Sequence, residues 1–139
     1  VNIYFVIEDE NGLRVPNSTE LTAMAAYLDD ETIRPLCDKV TALAPGEVEY
    51  AITVKYWIAE SDQRSVSEIQ NRISAAVADF QTWQRKLGRD INPTELIARL
   101  REAGAKRVTL TAPVDTVIKA TELPKCTGGI VTYGGLEDD

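Results

Sequence analysis

The chain has 139 residues, enough for one good hydrophobic core or two small ones sharing a helix, and 44% hydrophobic with 27% charged residues is folded-protein composition, not disorder. A formal charge of −7 argues against a nucleic-acid or anionic-membrane surface, because phosphate binding needs clustered Lys and Arg. Histidine is absent, which removes Ser-His-Asp and Cys-His catalysis and the commonest zinc ligand sets.

Asn2 to Asp9 opens the chain with apolar residues on both alternating faces, the pattern of a central strand. Asp9-Glu10-Asn11-Gly12 is a turn. Asn17 stands three residues before Glu20, a capping pair for a helix whose Leu21, Met24, Ala25 and Leu28 have i, i+3, i+4, i+7 spacing. This helix is expected to reach about Asp30, continue loosely to Arg34, and end at Pro35, which lacks an amide hydrogen and biases Arg34 away from the helical region. A short strand follows over Lys39 to Ala44, then the turn Ala44-Pro45-Gly46. From there Val48, Tyr50, Ile52, Val54, Tyr56 and Ile58 fall on one face, against Glu49, Thr53 and Lys55 on the other. That alternation predicts a long, half-buried strand.

Glu60 to Arg64 is polar, and Ser65 with Glu68 has the spacing of a capping box. The helix after it carries Val66, Ile69, Ile73, Val77 and Phe80 and, with Leu87, is expected to run to Gly88, about 35 Å at 1.5 Å per residue. Asn92-Pro93-Thr94-Glu95 is a second start signal, for a helix burying Leu96, Ile97 and Leu100 and closed by Gly104. Strands are predicted over Arg107 to Thr111, ending at Pro113, over Thr116 to Thr121, and over Ile130 to Tyr133. Leu123-Pro124 breaks the pattern, and the acidic, glycine-rich tail from Gly134 is expected to fray.

The order β-α-β-β-α-α-β-β-β is an α+β fold. We expect two small lobes, residues 1–60 and 61–139, linked by the long helix; the alternative is a single ferredoxin-like sheet with appended strands. The start at Val1 without methionine suggests a fragment of a larger protein. No apolar stretch approaches the roughly 20 residues that span a bilayer, and NIYFVI lacks the flanks of a signal peptide, so a soluble protein without membrane insertion is expected.

Chemistry is scarce. Cys37 and Cys126 have no metal-binding spacing and read as reduced and packed. Of two acidic clusters, Glu8-Asp9-Glu10 diverges along a strand, and Gly12 follows Asp9 too soon for a calcium loop; Asp29-Asp30-Glu31 reads as a helix-end surface cluster. Gathered around a metal, Glu8, Asp9, Asp29 and Asp30 would be the enzyme reading, but no catalytic, cofactor-binding or metal site is assigned. Thr127-Gly128-Gly129 and Tyr133-Gly134-Gly135 are too short to cradle a phosphate and suit tight turns or a bulge. Arg85, Lys86 and Arg89 form an interrupted basic run, read as a solvated helix end. Trp57, on the polar face of its strand, and Trp83, beside Arg85 and Lys86, either cap the core or anchor a protein interface. Trp57, Trp83, Arg85 and Lys86 are therefore the candidate contact residues.

Taken in order, NIYFVIED, the first helix, RPLCDKVTALAPGEVEYAITVKYWI, the long helix and INPTELIARLREAGAKRVTLTAPVDTVI resemble the C-terminal half of baseplate J-like proteins. The signatures are an RPL-x-D-x-V segment ahead of EVEYAITVKYWI, and a helix ending in glycine followed by a strand closed at Pro113. The resemblance implies a structural wedge subunit of a contractile phage tail or related injection machine. It further implies contacts with other wedge and tail proteins, self-association in a ring, no enzyme activity, and a place in the virion baseplate after assembly in the bacterial cytoplasm. A small-molecule-binding regulatory module of ferredoxin-like type is the rival reading, supported by element order alone.

Overall fold

The alternating run through Val48 to Ile58 becomes a strand hydrogen-bonded along both edges, and the principal core forms on one of its faces. In the computed structural model, residues 2–29 and 41–138 are described. Their elements are β1 (Asn2–Tyr4), β2 (Ile7–Asp9), β3 (Gly12–Arg14), α1 (Ser18–Leu28), β4 (Thr41–Leu43), β5 (Gly46–Ala59), a 3-10 helix (Glu60–Ser65), α2 (Val66–Gln84), α3 (Pro93–Ala103), β6 (Arg107–Ala112) and β7 (Glu122–Glu137). The class is α+β, as expected. Three strands form the main sheet in the order β6-β5-β7, with β6 antiparallel and β7 parallel to β5. Two further pairs stand apart from it, β1 with β4 in parallel and β2 with β3 in antiparallel. Among the described residues the strands therefore do not form a single ferredoxin-like sheet.

Tyr50, Ile52, Val54, Tyr56 and Ile58 of β5 are all buried, and α2 and α3 cover them with Ile69, Ile73, Val77, Phe80, Leu96 and Leu100. Because β5 pairs with β6 and β7, this sheet and core run across the 60/61 boundary drawn from the sequence. Residues 2–29 contribute little to burial; Pro16 alone among them is classed as buried.

Several elements differ from the sequence reading. The first strand is two, β1 and β2, which enter different pairs; the predicted turn closes a hairpin onto β3, with Asp9 Oδ1 accepting from the Asn11 amide at 2.9 Å and Gly12 at φ 103°. Glu8, Asp9 and Glu10 are exposed on this hairpin. The Ser65 capping box does not form, since the chain enters α2 already wound as a 3-10 helix and Ser65 makes no side-chain cap. Helix α2 ends at Gln84, four residues short of Gly88. Residues 116–121 are not a strand: Thr116 makes one bridge to Ile91, and the Ile118 amide donates to Asp90 Oδ1 at 2.7 Å. The tail, instead of fraying, is ordered in β7 as far as Glu137. Arg34, Pro35, Cys37, Lys39, Asp30 and Glu31 lie outside the described residues, so the readings placed on them do too.

Strand β7 stays beside β5 for 16 residues through two bulges. Register slips once between Tyr50 and Ile52, opposite Gly128-Gly129, and again between Tyr56 and Ile58, opposite Gly134-Gly135. Each bulge adds one residue to β7, and Gly128 and Gly135 take positive φ there. Pro124, in register with Val48, is tolerated because β7 is an edge strand.

The joint between α2 and α3 is pinned by one amide. Gln84 is fully buried; its Nε2 donates to the carbonyls of Asp90 (2.8 Å) and Arg89 (3.3 Å), and its Oε1 accepts from the Asn92 amide (3.0 Å). Asn92 then caps α3 through the Thr94 and Glu95 amides, with Pro93 in the first turn, as predicted. Gly104 ends α3 at φ 121°, and a Cβ there would lie 3.0 Å from Ile69. Gln84→Ala would strand two carbonyls and an amide, and should cost about 2–4 kcal/mol. The expected readout is a lower urea midpoint with an unchanged m-value.

The predicted capping box of α1 forms, with Glu20 N donating to Asn17 Oδ1 at 2.9 Å and Asn17 N donating to Glu20 Oε1 at 3.0 Å. Arg14 grips both Glu20 oxygens at 2.6 and 2.7 Å and reaches Asp9 at 2.9 Å. Arg14's hydrogen bonds, then the Asn17 amide, hold the Glu20 carboxyl down at about 2, against an ordinary 4.5. A carboxyl depressed on folding stabilises above its unfolded value, and that contribution fades as pH falls from about 4.5 through about 2. Protection of the amides at the start of α1, measured as exchange relative to unstructured peptide at the same pH, should fall as pH drops across that window in the wild type, and that fall should vanish in Glu20→Gln.

Candidate functional site

The helices occupy one face of the β6-β5-β7 sheet, and the candidate residues lie on two other surfaces. Trp57 alternates with the buried Tyr56 and Ile58 and so points away from the helices, as the polar-face reading expects. It is half-buried nonetheless. Arg107, its cross-strand partner on β6, places its guanidinium 3.6 Å from the ring centroid, and Lys55 lies 5.3 Å from it. Arg107 Nε also donates to both carboxylate oxygens of Glu137, at 3.1 and 2.9 Å. Arg107 on β6 and Glu137 on β7 thus bridge the sheet across β5 beside the indole.

Gly134 is the floor beneath that ring. A Cβ at this position would sit 2.5 Å from Trp57 Nε1 and 2.6 Å from Cε2, so only glycine lets the indole lie on the β7 backbone. The remainder of this open face is lined by exposed Ala51, Lys55, Thr109, Ile130 and Thr132, with Ile130 in register with Thr53 and Thr132 with Lys55.

Trp83, Arg85 and Lys86 lie elsewhere, where α2 ends, and are brought together there. Trp83 is half-buried against Phe80, 6.0 Å between centroids, with the guanidiniums of Arg89 and Arg99 4.2 and 5.6 Å from its ring. Arg89 Nη1 also donates to the Trp83 carbonyl. Trp83 thus serves the core and at the same time walls a cleft of about 830 Å³ between the β2-β3 hairpin, α2 and β7. Arg85, Lys86, Arg89 and Lys125 line this cleft, with Glu8 as its carboxylate. Arg85 Nη1 donates to the Asn11 carbonyl at 3.2 Å, whereas its Nε is shielded from solvent without a hydrogen-bond partner.

Sequence reasoning found the three cleft residues that neighbour one another at the end of α2, Trp83 in its last turn and Arg85 and Lys86 just beyond it, and missed Lys125 and the hairpin wall. Only the pairing of β7 with β5 and the packing of the hairpin bring those here. Arg89 was read as solvated, yet it stacks on Trp83. Cys126 is a free thiol at the cleft, its Sγ 3.4 Å from the Gly128 carbonyl. Burial, then the neighbouring Cys126, pushes the Tyr50 hydroxyl well above its ordinary range. Among the described residues no cluster of three or more metal-ligating side chains occurs, and no helix is long and apolar enough to cross a membrane.

Gly134→Ala should cost about 1–3 kcal/mol and shift the Trp57 emission as the indole is displaced. The same change in a Trp57→Ala background should cost much less, so a double-mutant cycle monitored by urea unfolding isolates the contact.

Residues 44–134 match the family described as Baseplate J-like protein C-terminal domain. The chain is also 30% identical, over 139 residues and 99% of its own length, to Baseplate protein J of Escherichia phage P2. It spans 45% of that relative's length. The matched segment begins just before β5 and ends at Gly134, taking in the main sheet, both covering helices and the glycine under Trp57, and the chain belongs to the baseplate J-like protein family.

Proposed function

We propose that the chain is part of a structural wedge subunit in the baseplate of a contractile phage tail or related injection machine, acting through protein-protein contacts and not through catalysis. The observation that carries this reading is the family match over 44–134, which covers β5, α2, α3, β6 and most of β7. The name of the phage P2 relative points the same way. Its partners would be other wedge and tail proteins, together with further copies of itself in the ring around the tube, assembled in the bacterial cytoplasm and ending in the virion baseplate.

The sheet face opposite the helices suits such a role. Its exposed positions include Ala51, Thr109, Ile130 and Thr132, and it carries a half-buried tryptophan with an arginine stacked on it, residue types enriched where proteins meet. Trp57 and the α2-end residues Trp83, Arg85 and Lys86 are the contact residues we propose.

Affinity-tagged full-length protein, expressed with the remaining tail genes of its phage or prophage, should co-purify with other baseplate subunits. Thr109→Arg, which places bulk and charge on the open face, should reduce that recovery about tenfold without lowering the melting temperature. Failure of the wild-type protein to associate with any tail subunit overturns the proposal.

A further inference from the structure

We infer that the cleft at the end of α2 is a recognition site for an acidic, carboxylate-rich peptide segment of a partner protein; this rests on the reading that the chain works through protein contacts. Its charge is the reverse of the chain's. The whole protein carries −7, yet Arg85, Lys86, Arg89 and Lys125 converge on one concavity whose lining holds one carboxylate, Glu8, with Asp9 near Arg85 and Glu47 beside Lys125 outside that lining. Several cations elsewhere are matched, Arg14 with Asp9 and Glu20, Arg72 with Glu68, Arg99 with Glu95 and Arg107 with Glu137, and those left over among the described residues, such as Arg64, Arg101 and Lys119, do not line a concavity with one another. In the cleft Lys125 lies 3.6 Å from Glu47, but among the described residues no ion pair joins Arg85, Lys86 or Arg89 to a carboxylate. The Arg85 Nε–H is in addition a donor shielded from water with no acceptor. Such a group is satisfied when a ligand brings an oxygen to it.

Size and surroundings favour a peptide over other anions. About 830 Å³ is far more than one free phosphate fills, and it lies in the range of clefts that enclose a ligand of several residues' bulk. A polynucleotide would stack bases on aromatic faces and run its phosphates beyond the cleft over an acidic surface. Trp83 has no such vacancy, because Arg89 and Arg99 already lie against its ring. A short run of Asp and Glu has the complementary charge without that length. The guanidinium N–H groups of Arg85 and Arg89 not already given to the Asn11 and Trp83 carbonyls suit carboxylate oxygens in particular.

The test is a titration of the isotope-labelled chain with a blocked Asp-Glu-Asp-Glu peptide, followed by amide and indole chemical shifts. Asn-Gln-Asn-Gln peptide, inorganic phosphate at matched ionic strength and a duplex oligonucleotide serve as comparisons. Shifts are expected at residues 11–13, 83–89 and 125–126, weakening with salt. Lys86→Glu, which removes no intramolecular contact drawn above, should weaken binding about tenfold with an unchanged melting temperature. Absence of localised shifts at millimolar peptide, equal affinity for phosphate, tighter binding of the duplex, or an unaffected Lys86→Glu variant each overturns the assignment. Such a result alongside wild-type co-purification with tail subunits removes the cleft assignment alone; loss of co-purification removes the baseplate role, whatever the peptide does.

Discussion

The hydrogen bonding of β5 on both edges is the constraint from which the remaining architecture follows. A strand paired on both sides has only its two faces left for other contacts, and the side chains of β5 divide them sharply. Tyr50, Ile52, Val54, Tyr56 and Ile58 need an apolar cover, which α2 and α3 provide; Lys55 and Trp57 cannot share that side. Burying five such side chains contributes on the order of 1.5–3 kcal/mol each before conformational entropy is counted, enough to hold the sheet to the helices. The sheet is therefore one-sided by composition, and its second face is left open for Trp57 to organise.

The helices reach that face through a joint that is polar where a hydrophobic one would be too permissive. Apolar contacts between α2 and α3 tolerate sliding, whereas the Gln84 amide must find two carbonyls and an N–H at fixed positions in the 89–92 segment. The same segment holds residues 116–118 through the Ile91–Thr116 bridge and Asp90, so the chain leading to β7 is anchored to the helix pair. Ending α2 at Gln84 also frees Arg85 and Lys86 from the helical path and leaves them at the mouth of the cleft. One buried side chain thereby links the packing of the core to the geometry of a charged surface.

What could be read from the sequence divides along the range of the interactions involved. The β5 alternation, the Asn17-Glu20 box, Asn92-Pro93 and Gly104 are each decided within a turn or a strand, and each stands where the residues indicate. The parallel pairing of β7 with β5 joins residues some 75 apart and leaves no local trace, so a continuous strand was read as a break, a short strand and a loose tail. Its glycine pairs did carry the signal of a bulge, but a bulge presupposes the partner strand that the sequence does not name. Ser65 and Glu68 have the spacing of a cap without forming one, because a cap is needed only where a helix begins from extended chain. In the cleft, Trp83, Arg85 and Lys86 were legible as neighbours, while Lys125 and the hairpin arrive through tertiary structure alone.

The two candidate surfaces differ in how their charge is held. On the sheet face Arg107 is committed twice over, to Glu137 and to the Trp57 ring, so its charge is largely neutralised within the chain. Such a surface favours shape and apolar contact over long-range attraction. At the α2 end the cations are positioned by Asn11 and Trp83, a carbonyl and an aromatic ring, which orient a guanidinium without cancelling its charge. In a chain of net negative charge, such a cluster of cations would act on the rate and register of encounter more than on total binding energy. The sheet face and the cleft are the two surfaces left over once the core is closed, and they would make different demands on whatever meets them: shape and apolar fit on one, charge complementarity on the other.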